Sequence, residues 1–200
     1  MPFAVLGWPA DGPTLSLDHE RFSYAGKFVM SSTGKAVLLS DADATITDDK
    51  RDDDSEAVLA AVAFNEDRTD ADTLWLRYVT VRADRRGEGL GPRLLARIVE
   101  RATSRGYERI RIAVNNPFAY EAAWKAGFGY TGEQTGIAEL VMEHPPASAL
   151  ARHDANDRVG QYRDGLREYR GRDVLIDAER EFVAARLDGE PPESIDLDEA

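Results

Sequence analysis

The spacing of apolar positions changes period at Pro92. Downstream of it Leu94, Leu95, Ile98, Val99 and Ala102 recur at the spacing of a helix with one buried face, and Gly106 after Arg105 supplies a stop. Upstream, "AVLAAVAF" (Ala57–Phe64) is a continuous apolar run of strand length. "NEDRTDAD" then turns into "TLWLRYVTVR" (Thr73–Arg82), rich in aromatic and β-branched residues. The pair predicts an antiparallel hairpin whose second strand is central. "YERIRIAV" sets Ile110, Ile112 and Val114 against Arg109 and Arg111, the alternation of a strand with one buried face. "NNPFAYEAAWKAGF" predicts a further helix, with Asn116 as N-cap, Pro117 at its first position and Gly127 as its stop. "GIAELVME" (Gly136–Glu143) reads as another short strand.

The flanks are less regular. Residues 1–56 show turn residues and short apolar runs with no amphipathic helix; "KFVMSSTGKAVLL" reads as two short strands joined at Ser31–Gly34, and Asp41–Glu56 as a charged loop. "HPPAS" (His144–Ser148) marks a break. Beyond it Val159, Tyr162, Leu166 and Tyr169 form an amphipathic stripe ended by Gly171, and "DAEREFVAARLDG" gives a second helix. This divides the chain into a mixed α/β domain over residues 1–143, a helical extension over 147–190, and an acidic tail over 191–200 expected to be disordered.

Composition narrows the function. The net charge of −12 argues against a general nucleic-acid or anionic-membrane binder, which needs a basic footprint. Lysine occurs only at 27, 35, 50 and 125, so arginine carries nearly all the positive charge; abundant Asp with little Lys resembles proteins of salt-loving archaea. With no cysteine, disulfides and thiolate chemistry are excluded. No apolar run nears the roughly 20 residues of a membrane span, and "MPFAVLGWPADGP" lacks a signal-peptide layout, so a cytoplasmic protein is expected. His19, His144 and His153 show no metal-ligand spacing, so no metal is expected. No nucleophile elbow appears either.

The chemistry-bearing stretch is the turn from the central strand into the first helix, "VRADRRGEGLGPRLL". Helix N-termini attract anions, and glycines let a ligand approach the backbone. The loop ends Gly91-Pro92-Arg93, which fails the Gly-Lys-Ser/Thr ending of a Walker A loop. Gly87, Gly89 and Gly91 are spaced G-x-G-x-G, which fails the dinucleotide fingerprint too. What does match is R-x-x-G-x-G, within Arg86-Gly87-Glu88-Gly89-Leu90-Gly91.

With a strand before and a helix after, this motif resembles the GNAT superfamily of N-acetyltransferases, and "RIRIAVNNPFAYEAAWKAGF" is similar to that family's next strand, asparagine, helix and closing Gly-Phe. The resemblance spans roughly residues 73–131. It implies the GNAT acyltransferase fold, a mixed, mostly antiparallel central sheet flanked by helices, with acetyl-CoA as co-substrate. The backbone of Val79 and Val81 would pair with the pantetheine arm. Amides of Arg86, Gly87, Glu88, Gly89, Leu90 and Gly91 would hold the pyrophosphate, with Arg82, Arg85 and Arg93 assisting. Asn116 would lie near the pantetheine and thiol end. Pro92 removes one donor where the family usually has one.

The catalytic groups are thinner. Many members carry a carboxylate on the central strand as base; "LWLRYV" holds Arg77 and Tyr78 instead. Many have a tyrosine on the last helix as acid for the thiol; that place falls on Ala123 or Trp124, and Tyr120, about one turn earlier, is the candidate. Glu121, Glu133 and Glu139 are base candidates by location alone. Arg77 or Arg21 would suit an anionic acceptor. The resemblance therefore implies an N-acetyltransferase acting on a primary amine of a small molecule or protein, by direct attack in a ternary complex. The missing carboxylate leaves open an inactive acyl-CoA-binding sensor. The appended helices either cover the acceptor side or form a homodimer interface.

Overall fold

The computed structural model describes residues 1–10, 12–40, 54–146 and 155–197. Seven strands form one sheet: β1 (Phe3–Gly7), β2 (Gly34–Leu39), β3 (Val58–Glu66), β4 (Thr73–Val81), β5 (Arg109–Val114), β6 (Gly129–Gln134) and β7 (Leu140–His144). Their order is β1-β2-β3-β4-β5-β7-β6. Every neighbouring pair is antiparallel except β4 and β5, which run parallel. Among the described residues five α-helices accompany the sheet: the single turn α1 (Asp54–Ala57), α2 (Leu90–Ser104), α3 (Pro117–Lys125), α4 (Ala155–Arg170) and α5 (Asp177–Asp188). The expected mixed sheet with flanking helices is borne out. No helix among the described residues is long and apolar enough to cross a membrane.

The continuous apolar run of β3 has a direct cause: the strand is covered on both faces. Ala60, Val62 and Phe64 point into a core shared with Leu94, Leu95 and Ile98 of α2. Val58, Ala61 and Ala63 point into a second core closed by Leu15, Leu17, Phe22, Ala25 and Phe28. Non-helical chain from the N-terminal segment thus covers the second face. Of the two strands expected across Lys27–Leu39, only Gly34–Leu39 forms. Lys27 instead ends a 3-10 turn (Ala25–Lys27), and Val29 and Met30 are exposed. The buried Lys35 holds the segment that follows: its Nζ donates to the Met30 and Thr33 carbonyls at 2.7 and 2.8 Å.

Two edge elements were not predicted. β1 pairs only with β2, and β6 pairs only with β7. The strand expected at Gly136–Glu143 begins at Leu140. Of the charged loop expected over 41–56, residues 41–53 lie outside the described residues, and 54–57 form α1.

The C-terminal helices join the main core. Tyr162, Leu166, Tyr169, Leu175 and Val183 belong to the same buried cluster as α2 and α3. The tail also differs from expectation over its described part: Trp124 Nε1 donates to Pro192 O at 3.1 Å and Ile195 N–H to Lys125 O at 2.7 Å. Exposed main chain and an indole donor thereby find partners that an acidic composition does not advertise.

Tyr120, Tyr162 and Tyr169 are fully buried in this core, and burial pushes each phenol up from its ordinary value. The folded state then keeps protons that unfolded tyrosines release above about pH 10. Native protein binds more protons, so stability is intact below that pH and falls as pH rises beyond it. Three such groups give a slope of about 4 kcal/mol per pH unit. Urea unfolding at pH 9, 10.5 and 11.5 is expected to show this steep loss, and a flat profile would contradict it.

Candidate active site

Strands β4 and β5 separate partway along. Their parallel register runs from Thr73 opposite Arg109 to Leu76 opposite Ile112, and there it ends. β4 continues through Val81 against β3 only, while Ala113 and Val114 continue against β7 only. A bulge supplies the cause. Phe64 faces Leu76 but Ala63 faces Tyr78, so Arg77 is an extra residue in β4. Such an insertion bends a strand and increases its twist, turning the end of β4 away from β5.

The opening leaves main-chain groups unpaired. Arg82 N–H donates to Leu59 O of β3 at 2.9 Å. Amide directions alternate along a strand, so Thr80 and Tyr78 also face β3, while the N–H and C=O groups of Val79 and Val81 face the opening. An extended amide-bearing ligand would find two residues of open strand edge there.

β4 leads into the glycine loop. After a 3-10 turn (Ala83–Arg85), Gly87 has φ +86° and Gly89, the N-cap of α2, has φ +78°. Both sit in the left-handed region glycine favours, and a Cβ on either meets open space. Gly91 differs: a Cβ there would touch Ala122 and Val81 at 3.7 Å, ordinary contact. Gly91→Ala is therefore expected to leave the fold intact and raise stability by about 0.5 kcal/mol, read as a higher thermal midpoint. Pro92 occupies the third helical position, where its missing N–H is one the first turn leaves unpaired anyway.

The arginines around this loop divide by partner. Arg82 bonds Asp84 at 2.8 Å, and Arg85 pairs with Glu88 at 2.7 Å. Arg86 bonds only the Ser23 hydroxyl at 2.9 Å among its described contacts, and the buried Nε of Arg93 has no partner. Of the arginines around the loop, Arg86 and Arg93 are thus the two without a carboxylate partner among the described residues. An adjacent recess lined by Glu20, Arg21, Glu56, Arg82, Ala83 and Asp84 holds three carboxylates against two guanidinium groups, which disfavours a phosphate. Open strand edge, left-handed glycines, helix N-terminus and available arginines fit the pantetheine and pyrophosphate of acetyl-CoA.

The other expected residues fall in different places. Asn116 caps α3: its Oδ1 accepts Ala119 N–H at 2.9 Å, and its Nδ2 donates to Asn115 Oδ1 at 2.9 Å. Tyr120 is corrected from catalytic acid to core residue. It has no exposed surface, and its hydroxyl lies 3.2 and 3.1 Å from the Gln161 and Tyr162 carbonyls. Burial against α4 is the cause: a Cβ on Gly165 would lie 2.3 Å from that hydroxyl. Glu121 is also structural. Burial alone would raise its carboxyl, but Arg186 and Lys125 hold it below the ordinary carboxylate range. Glu133 lies 3.8 Å from Arg111, and Glu139 bonds the Thr135 hydroxyl. Arg77 bonds Asn65 at 2.5 Å, and Arg21 pairs with Asp18 and Glu56. His144 Nδ1 contacts Gly127 O at 3.2 Å, burial holding its pKa low. His153 lies outside the described residues. No group of three or more potential metal ligands occurs among the described residues.

Sequence reasoning missed Tyr24, which stands at the opening and is taken up below. No local signal in "RFSYAGK" marks it, because its position depends on tertiary packing.

The profile of the acetyltransferase (GNAT) family matches residues 16–128. A search of curated proteins gives no match. Among solved structures the chain is similar to an N-acetyltransferase from Staphylococcus aureus Mu50, at 18% identity and a TM-score of 0.43, covering 56% of this chain and 66% of that one. It is similar to Tetrahymena GCN5, at 17% identity and a TM-score of 0.43, covering 60% and 72%. It is also similar to the PaiA N-acetyltransferase from Thermoplasma acidophilum in complex with coenzyme A, at 16% identity and a TM-score of 0.41, covering 55% and 58%. With more than half its length matched by the family profile, the chain belongs to the GNAT family of acetyltransferases, which use acetyl-CoA.

Proposed function

We propose that the protein transfers an acetyl group from acetyl-CoA to a primary amine by direct attack in a ternary complex. The observation that carries this reading is the opening between β4 and β5, with the Val79 and Val81 main chain facing into it and the glycine loop at its end. Acetyl-CoA supplies an acyl group on a good leaving thiol. In this reading Val79 and Val81 hold the pantetheine as an added strand, and their N–H groups are the available donors for an oxygen gaining charge. The loop amides of Arg86–Gly91, with Arg86 and Arg93, hold the pyrophosphate.

The acceptor reaches the reacting carbon from the side covered by the N-terminal segment, where Tyr24 and Tyr78 lie. From the bulge onward β4 reads Arg77-Tyr78-Val79-Thr80-Val81 and carries no carboxylate, so the reading has the amine lose its proton to water. The acidic, lysine-poor composition supports working at high salt.

The test is CoA release from acetyl-CoA with a panel of primary amines in molar KCl. Amine-dependent release with formation of the N-acetyl product is expected. Binding of acetyl-CoA without turnover of any amine would favour the sensor reading instead.

A further inference from the structure

We propose that Tyr24 is the catalytic acid of the site, donating its phenolic proton to the sulfur of the departing CoA; this rests on the acetyl-CoA reading above. The inference starts from the N-cap of α3. Asn116 Oδ1 accepts Ala119 N–H at 2.9 Å, which fixes that amide with its oxygen toward the helix. Its Nδ2 must then donate outward, and Asn115 Oδ1 receives it at 2.9 Å. That fixes Asn115 in turn, so its Nδ2 donates to the Tyr24 hydroxyl oxygen at 3.3 Å. One capping bond thus sets the polarity of the whole chain. Tyr24 sits at the end of the relay as an acceptor, and its own proton is left over. No described protein group receives that proton.

The place is right for it. Asn115 follows directly on β5, and the Tyr24 ring lies 6.1 Å from that of Tyr78, in β4 just past the bulge. The tyrosine therefore bridges both arms of the opening where they diverge. Its segment is tied to the cofactor loop as well: Ala83 N–H donates to Arg21 O at 2.8 Å, and Arg86 to the Ser23 hydroxyl at 2.9 Å.

Its backbone carries a second, independent sign. Tyr24 has φ +61° and ψ +18°, one of two non-glycine residues with positive φ among the described residues. A left-handed tyrosine is strained, and such strain collects at functional positions. Here it lifts the ring into solvent at 51% exposure instead of into the core beneath.

The step balances with groups already named. The amine nitrogen forms the bond to the acetyl carbon as the carbon–sulfur bond breaks, and sulfur takes the Tyr24 proton. The proton lost by the amine passes to water, and water returns one to the exposed phenolate.

The test reads Tyr24 directly, without an acceptor. Protein labelled with 13C at tyrosine Cζ is titrated with CoA and with desulfo-CoA, in which hydrogen replaces the thiol; Tyr24→Phe assigns the resonance. Both ligands are expected to bind, and CoA alone to shift Tyr24. In Asn115→Asp the new carboxylate accepts the Tyr24 proton, so CoA should bind and the shift should vanish. Binding of both ligands with Tyr24 unmoved, or moved equally by both, would overturn the proposal. Failure of CoA to bind at all would overturn the acetyl-CoA reading, and this inference with it. In any amine assay that turns over, Tyr24→Phe is expected to lower kcat by about 100-fold or more with KM for acetyl-CoA and thermal midpoint little changed.

Discussion

A chain ended at Pro146 is expected to show no cooperative thermal transition, although the family profile stops well before that residue, at 128. Tyr162, Leu166, Tyr169, Leu175 and Val183 would all be lost, and each is buried in the main core. At about 1.5–3 kcal/mol per buried apolar side chain, their removal forfeits on the order of 10 kcal/mol. That is as large as the whole stability of an ordinary domain. The loss would also uncover Tyr120 and Trp124 and take both carbonyl acceptors from the Tyr120 hydroxyl. A sharp melt near that of the full chain would show instead that the helices are an appendage. A milder probe keeps the chain whole. Tyr169→Ala leaves a large cavity and frees Val114 O, which the Tyr169 hydroxyl meets at 2.9 Å, so a cost of about 3–5 kcal/mol is expected by denaturant unfolding. Val114 ends β5 beside Asn115, so the C-terminal helices also brace one arm of the opening.

The second large effect concerns Gly89. Aspartate and asparagine both tolerate the left-handed conformation that residue adopts, at φ +78°. They differ by one charge at the mouth of the helix N-terminus. Gly89→Asp puts a carboxylate where a pyrophosphate would sit, and like charges at that range repel. Affinity for acetyl-CoA is expected to fall by about 100-fold or more, equivalent to about 2.7 kcal/mol. Gly89→Asn is expected to lose far less, with similar thermal midpoints for both variants. Calorimetric titration distinguishes them, and equal affinity in the two would contradict the loop assignment.

The legible parts of the sequence were those whose causes are local. β3 is apolar at every core position because both its faces are covered, and α2 shows its buried stripe because only one of its faces is. The glycine loop was readable because positive φ at Gly87 and Gly89 favours that residue type. β6 escaped because "GYTGEQ" is polar and glycine-rich, an edge strand paired on one side only. The N-terminal cover escaped because irregular chain has no period, and its burial depends on the sheet beneath it. The error at Tyr120 has the same origin. Helical spacing puts it one turn from the expected place, yet α4, more than 35 residues later, decides that its hydroxyl faces main chain. The chain from Asn116 through Asn115 to Tyr24 spans 91 residues between its last two members, a juxtaposition no spacing rule reaches.

Amide hydrogen exchange read by NMR, with and without acetyl-CoA, tests the central claim most directly. In the free protein Tyr78 and Thr80 should exchange slowly, since their amides face β3, while Val79 and Val81 exchange faster because theirs face the opening. Saturating acetyl-CoA should protect Val79 and Val81 and leave Tyr78 and Thr80 as they were. Binding that leaves Val79 and Val81 unprotected would contradict the account.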